Sequence, residues 1–340
     1  MCIRTWLRFL VGERQAILEL AADRQAIYVG ALFVLSAGLA REYDAADLLH
    51  EPWHLLLPFA ASIGASFILF CVTYGSAKLK GAPGPGFWSA YRAFLGLFWL
   101  TAPLAWLYAL PYERFLTPLG ATQANLWTLG LVSVWRVYLM MRVVGVLMNY
   151  RAGAIFLVMV VADAEAFLAL HFLPRPIIPL MANIWMTESQ ILLAEVGDAL
   201  KVITFLSLPV WAIGALVATL ICQPAWQTGP VVEEAARGGL RRLALASVAF
   251  WLALLPFTQP EQILRRQVER LLQAGRITDG LALMSAHQPA DFPPHWDPIP
   301  QEGYFQISAR TLQVFEEIER SPPAPWVKAL FEEKRASRRD

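Results

Sequence analysis

Charge is what this sequence has least of. Only 16% of its 340 residues are Asp, Glu, Lys or Arg and the net charge is +1, whereas an ordinary soluble domain carries roughly 25% charged residues. Without surplus charge or a Lys/Arg run, the chain has no electrostatic footprint for nucleic acid. Cysteine is scarce as well. Cys2, Cys71 and Cys222 are widely separated, and the last two sit in apolar runs as small hydrophobes, so no disulfide framework follows. The sequence has no Asn-x-Ser/Thr sequon, no Cys-x-x-Cys pair and no ordered Ser-His-Asp set. Gly81 to Gly86 is rich in glycine and proline but lacks the Lys and Ser/Thr of a phosphate-binding loop, so it reads as a linker. The first residues are too charged for a cleavable signal peptide, whose apolar core follows its basic residues directly.

Apolar residues are abundant. They make up 57% of the chain, and the mean hydropathy is +0.46. Over a third of the charged residues lie beyond Phe257, in less than a quarter of the length. The chain therefore divides there into an embedded region and a water-soluble tail.

Residues 3 to 20 bring Ile3, Trp6, Leu7, Leu10, Ile17 and Leu18 near one helical stripe, which predicts an amphipathic surface helix within residues 1–25. Packing of the same face on protein is the other reading. Seven apolar segments follow, at 26–40, 55–74, 93–110, 124–148, 152–173, 199–222 and 240–257. About 20 helical residues cross a ~30 Å hydrocarbon core, so several segments are comfortable and the first is short. Basic residues alternate between connections. Arg4, Arg8, Arg14 and Arg24, then Lys78, Lys80 and Arg92, then Arg142 and Arg151, then Arg237, Arg241 and Arg242 mark one side; the other has Arg41, Arg114 and Arg175 with acids beside them. By the positive-inside rule this predicts seven spans, a cytoplasmic N-terminus and an outside tail, in a bacterial cytoplasmic membrane.

A short apolar stretch ending at Met186 is too short to span and reads as re-entrant or interfacial, with Thr187 and Gln190 as a capping box after it. In the tail, Thr258 and Glu261 form a second capping box, starting a helix that Gly275 stops. Helices near Ile277–Ala286, Ser308–Glu319 and Pro325–Lys334 surround a proline-rich loop at 289–300. Residues 258–340 then form a small helical domain, and the fold class is an all-α polytopic membrane bundle, 26–257, carrying it.

Three groups of residues are candidates for chemistry. His50-Glu51-Pro52-Trp53-His54 matches the zinc-hydrolase string His-Glu-x-x-His, which works when a helix puts both imidazoles on one face. Pro52 breaks that geometry, because a helix is expected to start at it and leave His50 outside. No metal or other cofactor is expected, and a metalloprotease on His50, Glu51 and His54 is the outlying alternative. Glu42, Asp44, Asp47 and Glu51 make the same loop acidic, open to a cation or a basic partner. Arg136 and Asp163 are the third group. They lie 14 and 13 residues from Tyr150 in adjoining segments, hence at matching depth at ~1.5 Å per residue, and an ion pair is available to them. Glu165 is about 200° round the helix from Asp163 and points elsewhere. Charges inside a span face the bundle and serve either helix register or transport. The sequence thus favours a noncatalytic membrane scaffold or complex component, embedded in lipid and meeting a protein partner through its tail. The alternative is a transporter or channel using Arg136, Asp163 and Glu165.

Overall fold

Apolar runs interrupted by glycine, proline and charged turns leave helix as the only element that satisfies every backbone polar group in hydrocarbon without a closed barrel. A computed structural model describes residues 1–44, 46–172, 188–227, 238–292, 296 and 309–336. It is 81% helical, with no strand among the described residues. In order, the helices are α1 (Ile3–Leu10), α2 (Arg14–Ala22), α3 (Ala26–Glu42), α4 (Leu56–Leu79), α5 (Phe87–Trp99), α6 (Pro118–Leu147), α7 (Gly153–Phe172), α8 (Glu188–Ile221), α9 (Gly239–Gln273), α10 (Ile277–Ser285), α11 (Ala309–Arg320) and α12 (Pro325–Ala336). The segments expected at 177–186 and at the Thr187 capping box lie outside the described residues.

Among the described residues five helices are long and apolar enough to cross a membrane: Pro52–Leu79, Pro118–Leu147, Gly153–His171, Ile191–Ile221 and Gly239–Gln273. They leave much apolar surface uncovered, including Phe205, Leu206, Val210 and Ile213 on α8 and Leu245 and Phe250 on α9. Exposed apolar area on that scale fits a membrane protein. Two of the seven predicted segments have a different build. α3 has 17 residues, and α5 has 13 before the chain tightens into a 3-10 helix at Ala102–Ala109, where Pro103 stands in the first turn. Both are enclosed by protein over most of their length. Val29, Phe33, Val34 and Ala37 of α3 and Ala90, Phe94, Leu95 and Leu97 of α5 are buried in the main core. The two helices cross where Gly30 and Gly96 bring the backbones together: a Cβ at Gly30 would meet the Trp99 Cβ at 2.7 Å, and one at Gly96 would meet the Ala26 Cβ at 3.2 Å.

The stripe over residues 3 to 20 is two helices, not one. The chain turns at Gly12, whose φ of +78° places it in the left-handed region. Its N–H bonds the Phe9 carbonyl while the Glu13 N–H reaches Arg8, which closes α1 with a Schellman turn. Trp6 faces protein. Its indole N–H donates to the Leu100 carbonyl at 3.0 Å and its ring stacks on Phe33. The carbonyls that end α1 receive bonds from α6: Trp135 donates to Leu10, Tyr138 to Val11 and Arg142 to Gly12. Those are the acceptors that a helix C-terminus leaves open.

The boundary expected near Phe257 is absent from the backbone. α9 runs through Pro256 and Pro260 for 35 residues, about 52 Å, and stops at Ala274 and Gly275. Thr258 does not cap a new helix, because its hydroxyl is drawn to the Tyr43 carbonyl 2.6 Å away. Past the bundle, Val268 and Leu272 of α9 join Leu281, Met284, Val314, Ile318, Val327 and Phe331 in a second apolar cluster.

Candidate functional site

The loop between α3 and α4 is fastened by α9. Thr258, Gln262, Arg266 and Arg270 recur every four residues, so they form one face of the helix. Thr258 donates to Tyr43 O, the Gln262 amide to Asp44 O, and Gln259 Nε2 to Ala46 O (2.9 Å) and Tyr43 O (3.3 Å). Gln259 Oε1 in return accepts the Leu49 N–H at 3.3 Å. Tyr43 packs on Trp251, 5.4 Å between ring centres, and its hydroxyl donates to Ala109 O. Gln259 is only 1% exposed, so these side-chain bonds answer backbone groups of the loop away from bulk water.

Farther along the same face the contact becomes ionic. Glu51 Oε1 lies 3.0 Å from Arg266 Nη2 and 3.5 Å from Arg270 Nη2, and Glu51 Oε2 lies 3.2 Å from His54 Nε2. The hydrogen bond from Arg266, more than the one from His54, holds the Glu51 carboxyl below the usual carboxylate range against the opposing cost of burial. Arg266 also bonds Glu269, whose second oxygen accepts the Trp296 indole N–H at 2.9 Å. Arg265 donates to Asp291 O at 2.7 Å and pairs with Glu261. α9 therefore holds the α3–α4 loop and the chain around Asp291 and Trp296 at once. Within the acidic loop, Glu51 is paired with Arg266 and Arg270 of the same chain.

The zinc-like string sits inside this arrangement. Pro52 opens a 3-10 turn, Pro52–Leu55, that runs into α4, so the helix does begin where proline predicts. Glu51 precedes it with non-helical φ −125° and ψ 56°. His50 Nδ1 is 2.8 Å from Asp47 Oδ2, and His54 turns to Glu51. Among the described residues no three His, Cys, Asp or Glu side chains gather as metal ligands.

Arg136 is on α6, within the bundle. Its guanidinium lies over the Phe98 ring, 5.1 Å from the centre, and interacts electrostatically with Tyr108 and Glu165. No ion pair joins it to Asp163 among the described residues. Asp163, 9% exposed, turns to α8, where Ser207 Oγ stands 2.7 Å from its Oδ2. Ser207 Oγ is equally close to Ile203 O, and its single proton serves one acceptor at a time. Matching depth alone therefore did not choose the partner. Glu165, two residues on, meets the field of Arg136, and its buried Oε1 has no hydrogen-bond partner among the described residues.

Sequence reasoning missed Gln259, Gln262, Arg266, Arg270 and Ser207. The four-residue repeat on α9 was a readable signal, but a boundary drawn at Phe257 assigned it to a separate tail. Compared with known proteins, the chain matches no family model, no curated protein and no solved structure.

Proposed function

We propose that this chain is a noncatalytic membrane component that holds its C-terminal helices in a fixed position beside the bilayer for a protein partner. The observation that carries this reading is α9, an uninterrupted helix whose final turns are bonded to the 43–51 loop on one side and to Asp291 and Trp296 on the other. A flexible linker would let the tail wander; a bonded helix sets its position. The second apolar cluster supports treating the tail as a unit, with α9 shared between it and the bundle.

The proposal includes seven crossings, with α3 and α5 added to the five long helices. It is supported by the alternation of basic and base-poor connections, and by the enclosure of the two short helices within protein, where hydrocarbon thickness constrains length less. The N-terminus and basic turns then face the cytoplasm, and residues 274–340 lie across the membrane from them. Truncation after Gln273 tests the role, since it leaves the loop contacts of α9 in place. Proteins cross-linked to the full chain in its native membrane should be lost from the truncated one, while the bundle stays monodisperse. An unchanged set of cross-linked proteins would overturn the proposal.

One observation favours a second reading. The Glu165 oxygen beside Arg136, without a hydrogen-bond partner among the described residues, is the kind of intramembrane group that a proton pathway uses. On this reading E165Q and D163N abolish potential-driven proton uptake into proteoliposomes and leave folding intact. Unaltered uptake, or a variant that fails to fold, rejects it.

A further inference from the structure

On the face opposite the 43–54 loop, α2, α3, α5 and the 83–85 and 226 backbone segments surround an open cleft of about 490 Å3. Its wall is apolar at Ala26, Ile27, Pro85 and Trp226 and polar at Ser89, with Arg24 and Arg92 also lining it. Asp23 is the carboxylate among the lining residues, and it is engaged already: Oδ1 accepts the Gln25 N–H at 2.9 Å and Oδ2 lies 3.6 Å from the Met1 nitrogen. Neither arginine has an ion-pair partner among the described residues. The cleft therefore presents two uncompensated cations beside apolar side chains.

Its position narrows the ligand. Tyr28 and Trp88, next in sequence to the lining residues Ile27 and Ser89, are 73% and 72% exposed. Exposed Trp and Tyr on a membrane protein belong to the headgroup level, where their amphipathic rings settle. This face also carries most of the basic connections. A guanidinium recognises phosphate through paired charge-assisted hydrogen bonds, and basic pockets between helices at this level take lipid headgroups. A free phosphate ion would use the arginines and gain nothing from Ile27 and Trp226. A phospholipid uses both, with its glycerol and upper acyl carbons on the apolar wall.

We propose that this cleft binds the phosphate headgroup of an anionic phospholipid, with Arg24 and Arg92 as its cationic contacts. The site is independent of the role assigned to α9. Native mass spectrometry of the delipidated full-length protein, titrated with phosphatidylglycerol or phosphatidylcholine, tests it. Wild type should retain one phosphatidylglycerol in preference to phosphatidylcholine. R24Q/R92Q should weaken that binding at least tenfold. R242Q removes an exposed charge at the same end but outside the cleft, and should leave binding unchanged. R24K/R92K keeps the charges but not the paired hydrogen bonds and should bind between wild type and R24Q/R92Q, so a folding defect in the glutamine variant does not decide the outcome. Inorganic phosphate at millimolar concentration separates the sources: if it stabilises wild type and not R24Q/R92Q while the two lipids bind equally, the cleft takes free phosphate and the lipid assignment is overturned. Equal phosphatidylglycerol binding by wild type, R24Q/R92Q and R242Q would overturn the site itself.

Discussion

Gln259→Ala should open the α3–α4 loop without unfolding the bundle. The wild-type side chain is 1% exposed and meets three backbone groups: Ala46 O, Tyr43 O and Leu49 N–H. Tyr43 O keeps its bond from Thr258 in the variant. Ala46 O keeps the Leu48 N–H at 3.0 Å, so among the described residues it is the Leu49 N–H that loses its acceptor, and a buried group left unpaired costs about 1–3 kcal/mol. The loop borders water at His50 and Leu49, both exposed, so solvent reaches part of the vacated space and the lower half of that range applies. One group at about 1 kcal/mol is a roughly fivefold rise in the open population at 1.4 kcal/mol per factor of ten. Hydrogen exchange followed by mass spectrometry in detergent reads it. Peptides covering 43–51 and 258–266 should exchange about fivefold faster, and peptides from α5 should be unaltered. Unchanged exchange in 43–51 would refute the claim that α9 fastens this loop; acceleration everywhere would mean that the side chain supports the whole fold.

Acid should release the ionic part of the same contact. The Glu51 carboxyl is held below its ordinary value in the folded state, so its contribution is full above the unfolded value of about 4.3 and fades as pH falls through the lower folded one. Exchange in 43–51 should quicken over that acid window in wild type but not in E51Q; identical pH profiles would count against it. Arg266 and Arg270 are 40% and 55% exposed, so the ionic contribution is small, of the order of 1 kcal/mol or less. Gly30→Leu should overpack the α3–α5 crossing, because its Cβ already meets Trp99 at 2.7 Å, at a cost of about 1–3 kcal/mol or more. Gly64→Leu has nothing within 4 Å of its Cβ and should leave the melting temperature of the detergent-solubilised protein nearly unchanged. Equal melting temperatures for the two variants would contradict the tight crossing.

The helical fold was legible in the sequence because apolar run length is a strong signal: α4, α6, α7 and α8 cover the segments where they were expected. α5 was harder to place. Its apolar count extends to Leu110, but Pro103 and the tightened 102–109 turn shorten the regular helix. Trp6 suits a membrane surface as well as a protein core, and only the Leu100 carbonyl and the Phe33 ring distinguish them. Arg136 and Asp163 were found from charge in an apolar setting, but depth along a helix leaves azimuth open, and azimuth gave Asp163 to Ser207. The face of α9 was hidden by its composition. A helix that passes from lipid to water changes character midway while its backbone continues, so a compositional boundary need not be a structural one.

The central claim is that α9 leaves the bundle on the side of the 43–54 loop and takes the tail with it. Cysteine accessibility in sealed, oriented vesicles tests this directly, with Cys2, Cys71 and Cys222 replaced by serine and one cysteine introduced at a time. His50→Cys and Arg276→Cys should react with a membrane-impermeant maleimide from one side, and Arg151→Cys, in the turn between α6 and α7, only from the other. Labelling of His50→Cys and Arg276→Cys from opposite sides would contradict the account.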